Sequence, residues 1–440
     1  MVESIKEAKK AQSDITLKTD NISSHLLKAT VHITSNLVET IYTQTVELFK
    51  KQIQLLGFKK EEAPGEYLKE NYKEEINNHL RNFLFKHLVL DFLMQQIRNQ
   101  KIILTNYPRL TDIQIHPNKE ADFIFNVSVA DPIELKEWKH FVFRPPKRKL
   151  YKDLDKQVSL FLKKETTCFK KLRPEEIQEY DWVCFDANLL NKKQDRLLDQ
   201  YKSNFWIKIN NIEIKKPFQF SLLGKKVGDS FVTSVLPLKN NFSEDIETNQ
   251  YPFLITIKAI TKGNHLSLES FKTNFKLKSK LDAHKKLIEV FSYRNDISQR
   301  KAIIEELFHL LLSKHRFEVP KHFIIRRQED ILLSLRSLPD YQVYKMQKDF
   351  NEQVAMLAEK ELKEEILIDQ ITYRENLKID DKDIQHYLYL FNNNRLKEFV
   401  YFKPVLEKLE NTDSPLQTSL LTQAALREKT LNHVIHVLTK

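Results

Sequence analysis

Only five of the 440 residues are glycine, where average usage of about 7% would supply roughly thirty. Gly57, Gly65, Gly224, Gly228 and Gly263 share no spacing that makes a P-loop or a dinucleotide fingerprint. Both motifs need several glycines where backbone closes on phosphate, so nucleotide chemistry of those kinds is excluded. At roughly 100–200 residues per domain, a chain this long divides into two to four. Lysine plus arginine is 71 against 60 aspartate plus glutamate, a net charge of +11, which favours an anionic partner. Cys168 and Cys184 form no C-x-x-C pair and no disulfide framework, which fits a reducing compartment. Residues 1–20 are studded with charge from Glu3 to Asp20, and no later run reaches 18 apolar residues. Cytoplasmic residence without a membrane partner is therefore expected.

Hydrophobic periodicity divides the chain into unlike parts. Val31 and Ile33 alternate with polar neighbours, and Val38, Ile41, Tyr42, Leu48 and Phe49 then follow near helical spacing. Helical patterning resumes over Leu68–Gln100, and alternation returns at Phe123, Phe125, Val127 and Val129. These segments predict a small α+β unit ending near Asp131-Pro132. A basic, helix-containing connector follows to about residue 176. Four short alternating segments, Trp182 to Phe185, Phe205-Ile207-Ile209, Phe231 to Val235 and Phe253 to Ala259, predict a β-rich domain. Beyond Leu266 the pattern is helical: Ile304, Leu307, Phe308 and Leu311 sit at i, i+3, i+4 and i+7, and Val354, Leu357 and Ala358 continue it. A helix before Val319-Pro320 should stop there, because proline disfavours helical geometry in its predecessor.

Concentrated chemistry is missing from the sequence. There is no H-E-x-x-H, no G-x-S-x-G and no cysteine-histidine set with zinc spacing. His284, His309 and His315 lie beside apolar positions and suit packing better than metal binding, so neither a metal nor any other cofactor is assigned. The lysine pairs Lys163-Lys164, Lys170-Lys171 and Lys225-Lys226 belong to no RRM, KH, zinc-finger or basic-zipper signature, which argues against sequence-specific nucleic-acid reading. An α+β head, a β-rich middle and an apolar helical tail suit work by contact, with apolar grooves that hold unfolded segments.

At Gly57-Phe58-Lys59-Lys60-Glu61-Glu62-Ala63-Pro64 the chain resembles the ribosome-docking loop of the trigger factor family of ribosome-associated chaperones. The likeness is collinear through Ala29–Leu56 before the loop and Phe123–Leu135 after it. Trp182 to Phe253 resembles the family's FKBP-like prolyl isomerase domain, and Ile303–Pro320 and Gln417–Lys440 resemble helices of its C-terminal domain. The resemblance implies an α+β multidomain fold: an N-terminal extension over 1–25, a ribosome-binding head over 26–135, and an extended linker over 136–176. An FKBP-like domain over 177–265 and an all-α substrate-binding domain over 266–440 complete it. It implies an ATP-independent chaperone that docks near the nascent-chain exit through Gly57, Phe58, Lys59 and Lys60 and binds nascent or unfolded polypeptides. A homodimer in the ribosome-free state is compatible with it. Prolyl isomerase activity would fall to the pocket aromatics Phe205, Phe218 and Phe253, which would favour a twisted X-Pro amide.

The chain departs from the family pattern in four places. Lys59 stands where arginine is common and Glu61 where glycine is. The approach to the pocket floor reads Lys215-Lys216-Pro217-Phe218, and Ala187 replaces an aromatic after Asp186. These departures keep two alternatives in view, a ribosome-independent holdase with a degenerate isomerase domain and a protein that is chiefly a prolyl isomerase.

Overall fold

The computed structural model describes residues 14–52, 57–59, 61–115, 119–147, 153–171, 175–191, 193–196, 203–209, 217–239, 246–249, 251–263, 266–291, 298–336, 338–393, 395–403 and 415–440. They form two compact units. One comprises 1–129 with 188–203 and 250–252; the other comprises 130–187, 204–249 and 253–440.

In the first unit β1 (Ile15–Ser23) and β2 (Leu26–Ile33) precede helices α1 (Ser35–Gln52), α2 (Gly65–Asn71), α3 (Lys73–Leu84) and α4 (Leu90–Asn99), and β3 (Arg109–Ile115) and β4 (Ala121–Ser128) follow. The antiparallel sheet runs β1-β2-β4-β3. Alternation with a period of two buries Ala29, Val31 and Ile33 on β2 and Phe123, Phe125 and Val127 on β4. The ring of Phe85, from a π-helical turn between α3 and α4, stacks on Phe123 and Phe125. The resemblance implies an N-terminal extension over 1–25, but residues 15–23 form the edge strand β1, registered on β2 from Ile15 opposite Ile33 to Ser23 opposite Leu26. Only Ile15 of that strand is buried, so its apolar signal is too thin to stand out by period.

The second unit opens with an extended stretch whose fully buried Trp138 inserts among Leu307, Leu367, Ile371 and Leu431. The Arg374 guanidinium donates to the Leu135 carbonyl at 2.7 Å, and His315 accepts the Lys136 N–H at Nε2 while its Nδ1 bonds the Leu311 carbonyl. This histidine is a buried clasp, in line with a packing role. Then come α5 (Leu154–Lys171), β5 (Trp182–Leu189), β6 (Ser203–Lys208), α6 (Pro217–Leu222), β7 (Ser230–Thr233), β8 (Leu236–Lys239), β9 (Ile246–Asn249) and β10 (Phe253–Thr261). Helices α7 (Leu268–Asn274), α8 (Lys280–Ile288), α9 (Gln299–Lys314), α10 (Lys321–Arg336), α11 (Tyr341–Lys345), α12 (Phe350–Arg374) and α13 (Asp381–Asn392) lead to β11 (Leu416–Gln417) and α14 (Thr418–Leu438).

The five-stranded sheet has the order β11-β6-β5-β10-β7. All eight residues of β5 are buried, because each face of the strand is covered. Phe185 meets Phe205 and Phe218 on one side. On the other, Trp182 and Cys184 share an apolar core with Trp206 and with Val158, Phe271, Leu287, Leu388 and Leu421 from α5, α7, α8, α13 and α14. The stripe Ile304, Leu307, Phe308 and Leu311 on α9 is buried as its spacing predicts, and α9 ends at Lys314, before Val319-Pro320. Side-chain caps start several helices: Ser279 with Asp282 and Asp380 with Asp383 form capping boxes on α8 and α13. Val354 and Ala358 face the core of α10 and α12, but Leu357 points outward and is exposed.

Candidate functional site

Two surfaces and one aromatic cluster concern the expected functions. The first surface is the loop between α1 and α2. Gly57 has φ +93° with open space around it, so backbone conformation alone requires glycine there. Phe58 is half-buried, its ring centroid 5.1 Å from that of Tyr67 on α2. Tyr67 thus acts as a platform that orients the phenylalanine, a partner the sequence reading did not single out. Lys59 is exposed; Lys60 lies outside the described residues. The Glu62 N–H donates to the Lys59 carbonyl at 3.0 Å, closing a four-residue turn with Glu61 at its third position and φ +68°. That is the position where type II turns take glycine. Exposed Glu61 and Glu62 bring negative charge beside the exposed lysine.

The second surface is the arm built by α10, α11 and α12. Its own core is thin: Ile331, Phe350, Val354 and Ala358, flanked by partly buried Ile324, Leu332, Leu335 and Tyr341. The outer side keeps Ile325, Leu333, Leu338 and Tyr344 exposed, with Val343 at 65%, Met356 at 71% and Met346 at 86% exposure. Scattered exposed apolar residues are ordinary, but seven of them between residues 325 and 356 make this segment a candidate interaction surface. The consecutive apolar residues Ile324-Ile325 and Ile331-Leu332-Leu333 are more than one helical stripe can bury, a signal that the sequence carries by itself.

The base of the arm is held by charge. Arg327 on α10 pairs bidentately with Glu365 on α12 at 2.9 and 2.7 Å. Arg427 on α14 reaches Glu365 at 2.9 Å and Asp369 at 2.7 Å. Burial pushes the Asp369 carboxyl up against the pull of Arg427, whereas the two guanidiniums hold Glu365 below its ordinary range despite its burial. The network ties α10, α12 and α14 together.

The aromatic cluster contains the expected isomerase residues. Phe205 on β6 and Phe218 on α6 both contact the Phe185 ring, at centroid distances of 5.7 and 5.3 Å. Phe253 begins β10 opposite Thr233 of β7. All three are core residues at 1–2% exposure. Asp186, next to the cluster on β5, is paired with Lys258 at 2.9 Å. Its carboxylate and hydrogen bond raise the lysine pKa. Burial likewise pushes the Cys184 thiol up and away from reactivity. Among the described residues no group of three or more histidine, cysteine, aspartate or glutamate side chains could hold a metal ion, and no helix is long and apolar enough to cross a membrane.

Comparison with known proteins adds a family. The model of the bacterial trigger factor protein matches residues 15–159, and that of the bacterial trigger factor C-terminus matches residues 282–435. These two matches leave β5 to β10 between them. The trigger factor of Geotalea daltonii is 20% identical over 436 residues, covering 95% of this chain and 98% of the relative. That of Halothermothrix orenii is 21% identical over 392 residues, covering 84% and 88%. A solved trigger factor chaperone, described for promiscuous substrate recognition in folding and assembly, aligns over 96% of this chain and 99% of its own at 15% identity. Its TM-score is 0.35, too low for the likeness to bear on the fold.

Proposed function

The chain belongs to the bacterial trigger factor family, and from that premise we propose that it is an ATP-independent, ribosome-associated chaperone of the cytoplasm that holds nascent and unfolded polypeptides. The observation that carries the proposal is the arm. Flexible methionine and branched aliphatic side chains at high exposure suit many weak, adaptable contacts, as a holder of varied clients needs. Weakness is useful here, because a client must leave as it buries its own apolar surface. The turn at Gly57 to Glu62 would be the ribosome anchor, with Phe58 on its Tyr67 platform as apolar plug and Lys59 and Lys60 meeting phosphate.

The arm is tested with the double variant Val343→Ser, Met346→Ser in the full chain. Both side chains are exposed, so folding should be unaffected, and suppression of aggregation of a chemically unfolded model enzyme should fall about five-fold or more. Suppression equal to the unsubstituted chain would remove the arm from the account.

Isomerase action is a second reading, favoured by the Phe185, Phe205 and Phe218 ring cluster. Because Phe218 is buried, Phe218→Leu is the test, since it preserves more volume than alanine. The unsubstituted protein should accelerate a proline-limited refolding phase, and the leucine variant should lose roughly ten-fold of that acceleration. Without acceleration by the unsubstituted chain, the isomerase reading falls and the chaperone reading stands.

A further inference from the structure

The two edges of the five-stranded sheet differ. One is closed within the chain: β11 pairs antiparallel with β6, Leu416 opposite Trp206 and Gln417 opposite Phe205. At the other edge β7 pairs with β10, from Thr233 opposite Phe253 to Ser230 opposite Thr256. Among the described residues no strand lies on its outer side. An edge strand presents a row of unpaired backbone donors and acceptors, and proteins normally blunt it with charge, proline or a bulge. Within β7 itself these devices are absent; Asp229 lies just before the strand, and the Lys225 ammonium sits 4.9 Å from the Phe231 ring centroid. Ser230-Phe231-Val232-Thr233-Ser234-Val235 has no charged residue, no proline and no glycine, in a chain that is 30% charged. Val232 is 51% exposed and Val235 36%. The Thr233 hydroxyl oxygen accepts the Val235 N–H at 3.2 Å, which turns the backbone away after Thr233 and limits the open edge to the four residues of β7.

We infer that β7 is a strand-addition site, which takes a short, extended, uncharged and β-prone segment of a non-native polypeptide by backbone hydrogen bonding. The inference rests on the chaperone reading and adds a second client contact to it. Backbone pairing demands an extended conformation and tolerates varied side chains, with Val232 favouring an apolar neighbour. β11 shows that this sheet already accepts a short antiparallel piece at its opposite edge. A second copy of the chain is the poorer occupant: stable association needs on the order of 1,000 Å² of buried surface, more than a four-residue edge supplies. A weak site of this size instead suits a client that must leave.

The test is hydrogen exchange by mass spectrometry on the full chain, with and without a short synthetic peptide that alternates valine and threonine between terminal glutamates. Amides of 230–235 should exchange at least about three-fold more slowly with peptide. Val232→Lys, which puts charge on the edge, should abolish that protection, and Val232→Thr should retain it. No protection at 230–235 by a chain that still suppresses client aggregation overturns the inference and leaves the chaperone reading intact. Protection that needs no peptide and grows with protein concentration also overturns it, in favour of pairing between copies. A chain that holds no unfolded polypeptide at all fails the chaperone reading, and the edge is then judged by the peptide alone.

Discussion

Alanine at Phe58, Lys59 and Lys60 together is expected to weaken binding to bacterial ribosomes roughly 100-fold at low salt. Truncating a central aromatic anchor costs about 2 kcal/mol or more, close to thirty-fold by itself. Each lysine lost from a phosphate contact removes roughly 0.7–0.9 from the slope of log affinity against log salt, so the slope should flatten by about 1.5. Co-sedimentation across a salt series reads both quantities. Glu61→Gly should act in the opposite direction. Holding a non-glycine residue in left-handed geometry costs on the order of 1 kcal/mol, and the φ of +68° at Glu61 incurs it. Glycine would relieve that strain and remove a carboxylate beside the exposed lysine, tightening low-salt binding several-fold. Equal sedimentation of the triple variant and the unsubstituted chain would detach the loop from the ribosome and favour a free holdase.

What was legible in the sequence, and what was not, follows from which interactions are local. Alternation with a period of two located β2, β4, β6 and β10, short apolar runs located β5 and β7, and the 3.6-residue stripe located α9, because in each case the pattern lies along a single segment. The turn at Gly57 was legible for the same reason, while the docking role expected of it came from resemblance alone. Tyr67 as the support of Phe58 was not legible, since it depends on how α2 folds back on the loop. The shared core between the sheet and the later helices was equally hidden: Trp182 and Cys184 read as ordinary strand residues until Leu287 and Leu388 are found against them. The aromatic residues expected to line an isomerase pocket were placed by resemblance, and burial of the second sheet face and of Phe218 emerges only in three dimensions. β1 escaped because an edge strand with one buried residue carries almost no periodic signal.

Glu364→Gln is expected to stabilise the protein strongly above neutral pH and hardly at all in acid. Glu364 lies on α12 at 1% exposure, where its Oε2 accepts the Tyr401 hydroxyl proton at 2.7 Å while Oε1 has no hydrogen-bond partner. Lys360 stands 3.8 Å away, and Glu361 and Glu365 add negative charge. Burial is the dominant cause that pushes this carboxyl up to about 7, against the pull of Tyr401 and Lys360. The unfolded chain releases the same proton near 4.5. Between those values the folded state binds more protons than the unfolded one, so stability falls as pH rises. The contribution is fully present below pH 4.5 and lost once pH passes about 7. At 1.36 kcal/mol per pKa unit, the loss is about 3 kcal/mol. Glutamine accepts from Tyr401 in the same way and cannot ionise, so the variant should keep that stability at pH 8 and match the unsubstituted chain at pH 4. Urea unfolding at both pH values measures it directly. Parallel pH profiles for the two proteins would mean that the side chain takes up water or a counter-charge when ionised, and the junction where α12 leaves the helical core would then be looser than its packing indicates.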